Sequence, residues 1–507
     1  MANRDRDLRF GRSALSRRGF LGGAAAAAVT AILAACGGST ATDTPKAAAG
    51  TSAPAAAATT AAATTAATKV PAATTTTGSA AAGGSAATAP AAGSAVATTG
   101  DPNAKYAGPV IEKGGTLKLL MWAHYVPAYD DYFDKWATDW GTKNGLKVTV
   151  DHVPTNTVVT KASADVAIKG GHDLTQLQFP TDVHLFAENL VDVSGPATYL
   201  EKKYGGYIAA AKDVAMVNGV WKGVPDFVIP YPGIYRKDYF DAAGVTKPVD
   251  TWDDLLKAGT ALKKMNHPVG LAINQGSFDS SSHMNSILYG FGGKWIEADG
   301  KTIAINSPET KDAINYVVEL FKNAMTPEVL GWDDSGNNLL LASGAGSYIL
   351  NPISAYLSSK KEIQDASLFS LPPAGPKGRF MVASGPYSWG VWNWSKEQGA
   401  AQQLIVDHMD DWLNGTKANQ GYELPTTNAW LKKPMPVLSD VPKFSILQDT
   451  INDQSTVIFG YPGPPDTNAA QVNNQYLINQ MFGKAVNGAT PDDAIKFAVD
   501  QLKTIYK

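Results

Sequence analysis

Apolar and polar positions begin to alternate in a readable way near residue 115. The run GTLKLLMW (115–122) is almost continuously apolar at its end, as expected of a buried strand, and LKVTV (146–150) alternates with the period of a half-exposed one. Between them Phe133, Trp136 and Trp140 recur at helical spacing within 129–144. Strand, helix, strand in that order predicts a parallel βαβ unit. A third strand is expected at 174–179, after Gly170-Gly171, and a helix around 182–189.

Further along, helices announce their own starts. Thr251-Trp252-Asp253-Asp254 has capping-box spacing ahead of Leu255, Leu256, Ala258 and Leu262. Ser307-Pro308 offers a cap and a first-turn proline before Ile314, Val317, Val318 and Phe321, and Thr490-Pro491 does the same before Ile495, Ala498, Val499 and Leu502. Short apolar strands at 270–273 and 347–350 alternate with these helices, which predicts a second α/β lobe. Trp136, Trp140, Trp252 and Trp412 lie at helical spacing or beside a cap and are expected in the core. Proline-rich breaks at 224–232, 371–376 and 423–427 are either surface loops or places where the chain passes between lobes.

The N-terminus has another pattern. Six arginines against two aspartates precede an apolar run at 21–35, shorter than the roughly 20 residues needed to span a bilayer. Ser16-Arg17-Arg18-Gly19-Phe20-Leu21 resembles the twin-arginine export motif, and Leu33-Ala34-Ala35-Cys36 resembles a lipobox, in which the cysteine carries the lipid. Cys36 is the only cysteine, and it sits in a Gly/Ala/Thr tract with no base to activate it. Residues 1–35 therefore read as a lipoprotein signal peptide, and 36–104, poor in large apolar side chains, as a lipid-anchored flexible tether.

Composition narrows the function classes. Removing residues 1–35 takes away six Arg and two Asp, a net of +4, so the formal charge of −3 becomes −7. A mildly acidic body argues against nucleic-acid binding. With no cysteine left, neither disulfides nor thiolate metal sites nor thiol catalysis are open to it. Gly-x-Ser-x-Gly and His-Glu-x-x-His motifs are absent, and the seven histidines lack metal-ligand spacing. No catalytic residue, metal or cofactor is expected, although paired carboxylates of a glycoside hydrolase leave no mark in sequence.

Residues 218–264, from NGVWKGVPDF to DLLKAGTALKK, resemble the central signature of extracellular solute-binding proteins of family 1, the maltose-binding type. Tyr235-Arg236-Lys237-Asp238 and Pro248-Val249-Asp250-Thr251-Trp252 match its Tyr-x-Lys-Asp and Pro-x-x-Thr-Trp steps. Residues 289–295, 371–376 and 385–398 resemble its later motifs in the same order. The resemblance implies an α/β, two-lobe periplasmic-binding-protein-like (type II) fold whose lobes exchange the chain at hinge crossings. Lobe 1 would take 105–226 and 378–422, and lobe 2 would take 230–372 and 428–507.

It also implies the substrate-binding component of an ABC importer, not an enzyme. The expected partners are a carbohydrate, the transmembrane permease subunits and, through the lipid, a membrane, with the protein itself a monomer on the outer face of the cell. A cationic solute such as a polyamine is the alternative ligand, requiring acidic residues around an aromatic cage. Ligands of open α/β sheets lie beyond the carboxyl ends of strands. Those ends and the family's positions nominate Trp122, His124, Tyr125, Gln178, Phe179, Phe227, Phe278, Asp279, Asn351, Tyr387, Tyr461 and Asp466 as ligand-binding residues. Aromatic faces together with amide, carboxylate or imidazole groups are what a sugar requires. Pro352 and Ile353 stand where the family has a stacking tryptophan.

Overall fold

The computed structural model describes residues 100–432, 435–452 and 456–507. The export motifs, Cys36 and nearly all of the expected tether lie outside the described residues.

Nine strands form two sheets: β1 (Thr116–Trp122), β2 (Lys147–Val153), β3 (Leu174–Leu177), β4 (Val224–Pro225), β5 (Gly233–Arg236), β6 (Val269–Gly270), β7 (Tyr348–Leu350), β8 (Ser367–Ser370) and β9 (Ser388–Val391). The first sheet has the order β2-β1-β3-β9-β4, and the second has β8-β5-β7-β6. β1 runs parallel to β2 and to β3, with Thr116 opposite Lys147 and Leu119 opposite Leu174. β9 pairs antiparallel with β3, Ser388 opposite Leu177, and antiparallel with β4 at the edge. β1 is central and buried over its last four residues, whereas β2 at the edge stays half-exposed. This is the fold class the sequence implies: two α/β lobes with helices against each sheet.

The connecting helix Pro127–Asn144 buries Tyr129, Phe133, Ala137 and Trp140, and stops at Gly145, whose φ of 76° only glycine adopts without strain. Phe133 lies flat against Trp389 of β9, centroids 6.0 Å apart. Trp140, Trp252 and Trp412 are buried as expected, while Trp136 is half-buried at the rim of the same core. The three announced caps all form. Thr251 and Asp254 make a reciprocal capping box at Trp252–Lys264, and Ser307 and Thr490 accept from the backbone N–H groups of Thr310 and Asp493. Each such cap is worth about 1 kcal/mol. Expected strand 270–273 shrinks to two residues, and the helix expected at 182–189 divides into Asp182–Leu185 and a 3₁₀ turn, Ala187–Asn189.

Three chain segments lie side by side between the sheets. Phe227–Val228 pairs antiparallel with Leu424–Pro425, and Ile229 bridges Ser384. The chain leaves the first sheet at β4 and enters the second at β5, then returns between Val382 and β9. Residues 371–376 do not carry a passage: Ala374–Gly375 forms a hairpin with Gly378–Arg379 against the second lobe. Met381–Val382 pairs with Thr456–Val457 and is bonded to Ser286, so residues 378–382 pack on the second lobe instead of the first. The last passage also comes later than residue 428, because Asn428 and Ala429 donate to Gly206 and Tyr204, and Trp430 packs on Trp412. At Lys443 and Phe444 the chain packs on the second lobe: Lys443 donates to the Gln364 and Ser367 carbonyls, and Phe444 lies against Tyr356 and Phe369. Proline marks these breaks in the chain, but which break spans the lobes depends on the surface beneath it.

Candidate ligand cleft

Strand ends and crossing segments converge on one shared space, where ligands of α/β sheets are expected. From the first lobe, the end of β1 contributes Trp122 and Tyr125, and the end of β3 contributes Gln178 and Phe179. Asp182 orients that second end by accepting the backbone N–H groups of Gln178 and Phe179. Burial, opposed by these bonds, pushes the Asp182 carboxyl up to about 7. Gln178 donates to Thr155, another lining residue, at 3.0 Å.

From the second lobe, Phe278 and Asp279 open the helix Phe278–Phe291, whose Ser277 cap accepts from Ser280 N–H. Asn351 follows β7, and Asp334 and Asn338 come from the start of the helix Gly336–Ala342 and the turn before it. The crossing segments add Tyr231, Ser384, Tyr387 and Tyr422. Phe179 and Phe278 stack across the two lobes, centroids 5.3 Å apart, so the lobes touch at the cleft.

The first wall is aromatic. Trp122 lies 5.8 Å from Tyr387, nearly parallel, and 5.8 Å from Tyr125, edge-on. Tyr387 in turn accepts or donates a hydrogen bond with Ser384 at 3.0 Å. The opposite wall is a polar chain. Tyr231 OH donates to one Asp279 oxygen at 2.7 Å, and the Asn337 amide donates to the other at 2.8 Å. Asn337 also bonds Asn351, which bonds Asn338, both at 2.6 Å. The Asp279 backbone N–H donates to Asp334 at 2.9 Å. Burial first, and the Asp334 carboxylate second, hold the Asp279 carboxyl well above the usual carboxylate range.

Of the twelve nominated residues, the structure brings eight to the cleft: Trp122, Tyr125, Gln178, Phe179, Phe278, Asp279, Asn351 and Tyr387. Four lie elsewhere. His124 is buried beneath Trp122, with Nδ1 2.5 Å from Asp130 and Nε2 3.0 Å from Glu423. Burial alone lowers its pKa, but Glu423 and Asp130 outweigh it and raise it to about 9. His124, Asp130 and His152 do converge, yet this imidazolium is engaged by a carboxylate on each nitrogen, which is ion-pair chemistry. Phe227 is stacked behind Tyr387 at 4.4 Å. Tyr461 covers Tyr289 and Phe380, and Asp466 is spent capping the helix Thr467–Asn474 through Ala469 N–H.

Sequence reasoning missed Tyr231, Tyr422, Tyr476, Asp334 and Asn338. The first two had a signal, an aromatic inside or beside a proline-rich break. Tyr476 is held in the left-handed region at φ 51°, at the start of the helix Leu477–Val486, and nothing in the local pattern marks it. Asp334 and Asn338 read as ordinary turn and helix-start residues.

Residues 123–420 match the family described as bacterial extracellular solute-binding protein. This chain belongs to that family. Among relatives of this solute-binding protein are binding proteins of Brucella abortus (strain 2308) and Brucella suis biovar 1 (strain 1330), each 20% identical over 273 residues. Those matches cover 52% of this chain and 64% of each relative. Solved structures with similar folds include a sugar transporter from Arthrobacter chlorophenolicus A6 with bound laminaribiose, at TM-score 0.68 and 20% identity, covering 78% of this chain and all of that one. Maltose-bound MalE3 of T. maritima aligns at TM-score 0.66 and 20% identity, covering 77% and 100%. At such identities the likeness concerns the fold. No helix among the described residues is long and apolar enough to cross a membrane.

Proposed function

We propose that this solute-binding protein captures a carbohydrate between its lobes and delivers it to the permease of an ABC importer. The observation that carries the reading is the cleft itself, which sets aromatic faces opposite a chain of amides and carboxylates beside the three crossing segments. Saccharides offer C–H faces to rings and hydroxyls to such groups, and each burial of a ring against a sugar excludes water from both. Trp122, Tyr125, Phe179, Phe278 and Tyr387 are assigned the faces, and Gln178, Asp279 and Asn351 the hydroxyls. Closure about the crossing segments accounts for how one site both accepts and releases its ligand. A lipid on Cys36, after export through the twin-arginine motif, keeps a monomeric body within reach of the permease while the 36–104 tether lets it turn.

Thermal denaturation with a panel of mono- and oligosaccharides, followed by product analysis, tests this. One saccharide is expected to raise the melting temperature and to be recovered unchanged. Stabilisation by another solute class alone overturns the carbohydrate assignment, and turnover overturns the binding-protein assignment. Cys36→Ser is expected to move the protein from the membrane to the soluble fraction.

A further inference from the structure

The second-lobe wall places two acidic side chains together with no cation of the protein beside them. Asp279 and Asp334 both line the cleft, and no Lys or Arg is among the described residues that line it. Every partner of the Asp279 carboxylate is neutral: the Tyr231 hydroxyl and the Asn337 amide. Asp334 accepts the backbone N–H of Asp279 at the start of the helix Phe278–Phe291, a placement that a helix dipole supports for one charge. Burial raises both carboxyls, Asp279 well above its usual range, so without a cation beside it the pair holds on to a proton that a bound cation would displace. Neutral donors orient a carboxylate without neutralising it, and each carboxylate keeps lone pairs beyond these bonds.

Sugar hydroxyls would fill those lone pairs but leave the pair protonated; an ammonium fills them and stabilises both carboxylates in their ionised form. The acidic wall lies within electrostatic reach of the other lobe: burial first, then Asp334, Asp279 and Asp333, raise the Tyr125 hydroxyl there. The rings of Tyr125, Tyr231 and Tyr476 share the same space, and aromatic faces favour a cation. Trp122, 1% exposed, keeps an indole N–H with no acceptor among the described residues, which suits a ligand that also brings hydroxyl oxygens.

We infer that the saccharide taken by this cleft carries a protonated amine, received on the second-lobe wall by Asp279 and Asp334. This rests on the carbohydrate reading and sharpens it to amino sugars.

Calorimetry on the purified protein tests it with matched sets: each neutral saccharide of the panel, its 2-amino-2-deoxy counterpart and the N-acetylated form of that amine. Glucose, glucosamine and N-acetylglucosamine, with their β-1,4 disaccharides, are the starting sets. The free amine is expected to bind about tenfold tighter than both of its analogues, as a charge-assisted bond implies. Raising the salt concentration should shrink that ratio in the wild-type protein, and Asp334→Asn, which keeps an acceptor for Asp279 N–H, should bring it to about twofold. A neutral saccharide that binds as tightly as its amine, or a ratio unchanged by both salt and Asp334→Asn, overturns the inference and leaves the carbohydrate reading standing. Failure of every saccharide, aminated or not, removes the carbohydrate reading itself. Spermidine binding more tightly than every amino sugar also removes it, in favour of a polyamine.

Discussion

Beneath the first-lobe wall, His124 lies between Asp130 and Glu423 with an ion-pair partner on each ring nitrogen; on the second-lobe wall, Asp279 and Asp334 have only neutral donors around them. The first arrangement has a cation of its own between its two carboxylates and lies behind the aromatic surface, so it supports that surface from beneath instead of facing a ligand. The second is left open to the cleft. Charge that a protein neutralises for itself supports structure, whereas charge it leaves unmatched in a cleft selects what enters. Both clusters are built from residues far apart in sequence, and both would look alike as a count of acidic residues.

The strongest way to break this comparison is to remove the imidazole. His124→Ala leaves Asp130 and Glu423 facing each other without their cation, and is expected to cost about 3–5 kcal/mol, read as the shift of a urea midpoint. The same pair sets a pH dependence. The folded-state pKa of His124, about 9, lies above its ordinary 6.5, so its stabilisation is complete below pH 6.5 and is lost as pH rises through about 9. Raised to about 7 by burial and by Glu423, Asp226 has completed its own titration by pH 8, as has Asp182. Asp279, raised well above its usual range, loses stability with rising pH alike in both proteins, so the decline between pH 8 and 9.5 should be steeper in wild type than in His124→Ala; equal slopes in the two proteins would show that the imidazole is not the titrating group.

A smaller effect separates ligand contact from structure. Tyr125, 39% exposed, rests on Trp122 at the cleft, so Tyr125→Ala is expected to weaken saccharide binding about tenfold while moving stability by less than about 1 kcal/mol. Unchanged affinity would take Tyr125 out of the site. Tyr461 has the same exposure but lies against Tyr289 and Phe380, away from the cleft. Tyr461→Ala is expected to leave affinity within about twofold, and a loss like that of Tyr125→Ala would place the loop in the site after all.

Legibility followed the range of the interactions. The helices beginning at Trp252, Pro308 and Pro491 were readable because a cap is a contact between residues three apart. Trp122, Phe179 and Asn351 were readable because a strand end is where an α/β sheet exposes side chains. Phe227 and Tyr387 show where this fails: both sit in crossing segments, but one ring lies over the other and only the upper one meets the cleft. Asp466 failed because its carboxylate was claimed by the next helix, and 371–376 because a proline-rich hairpin and a proline-rich passage read alike.

The sequence by itself determined the two α/β lobes, the positions of the main helices and most of the aromatic wall, since periodicity, caps and strand ends are written in neighbouring residues. Tertiary structure alone decided the charge of the cleft. Asp279 and Asp334 are 55 residues apart, and only the packing of two helix starts brings them together; His124 meets Glu423 across nearly 300 residues only because a crossing segment passes under β1. Electrostatic matching depends on distance in space, and no local pattern records it.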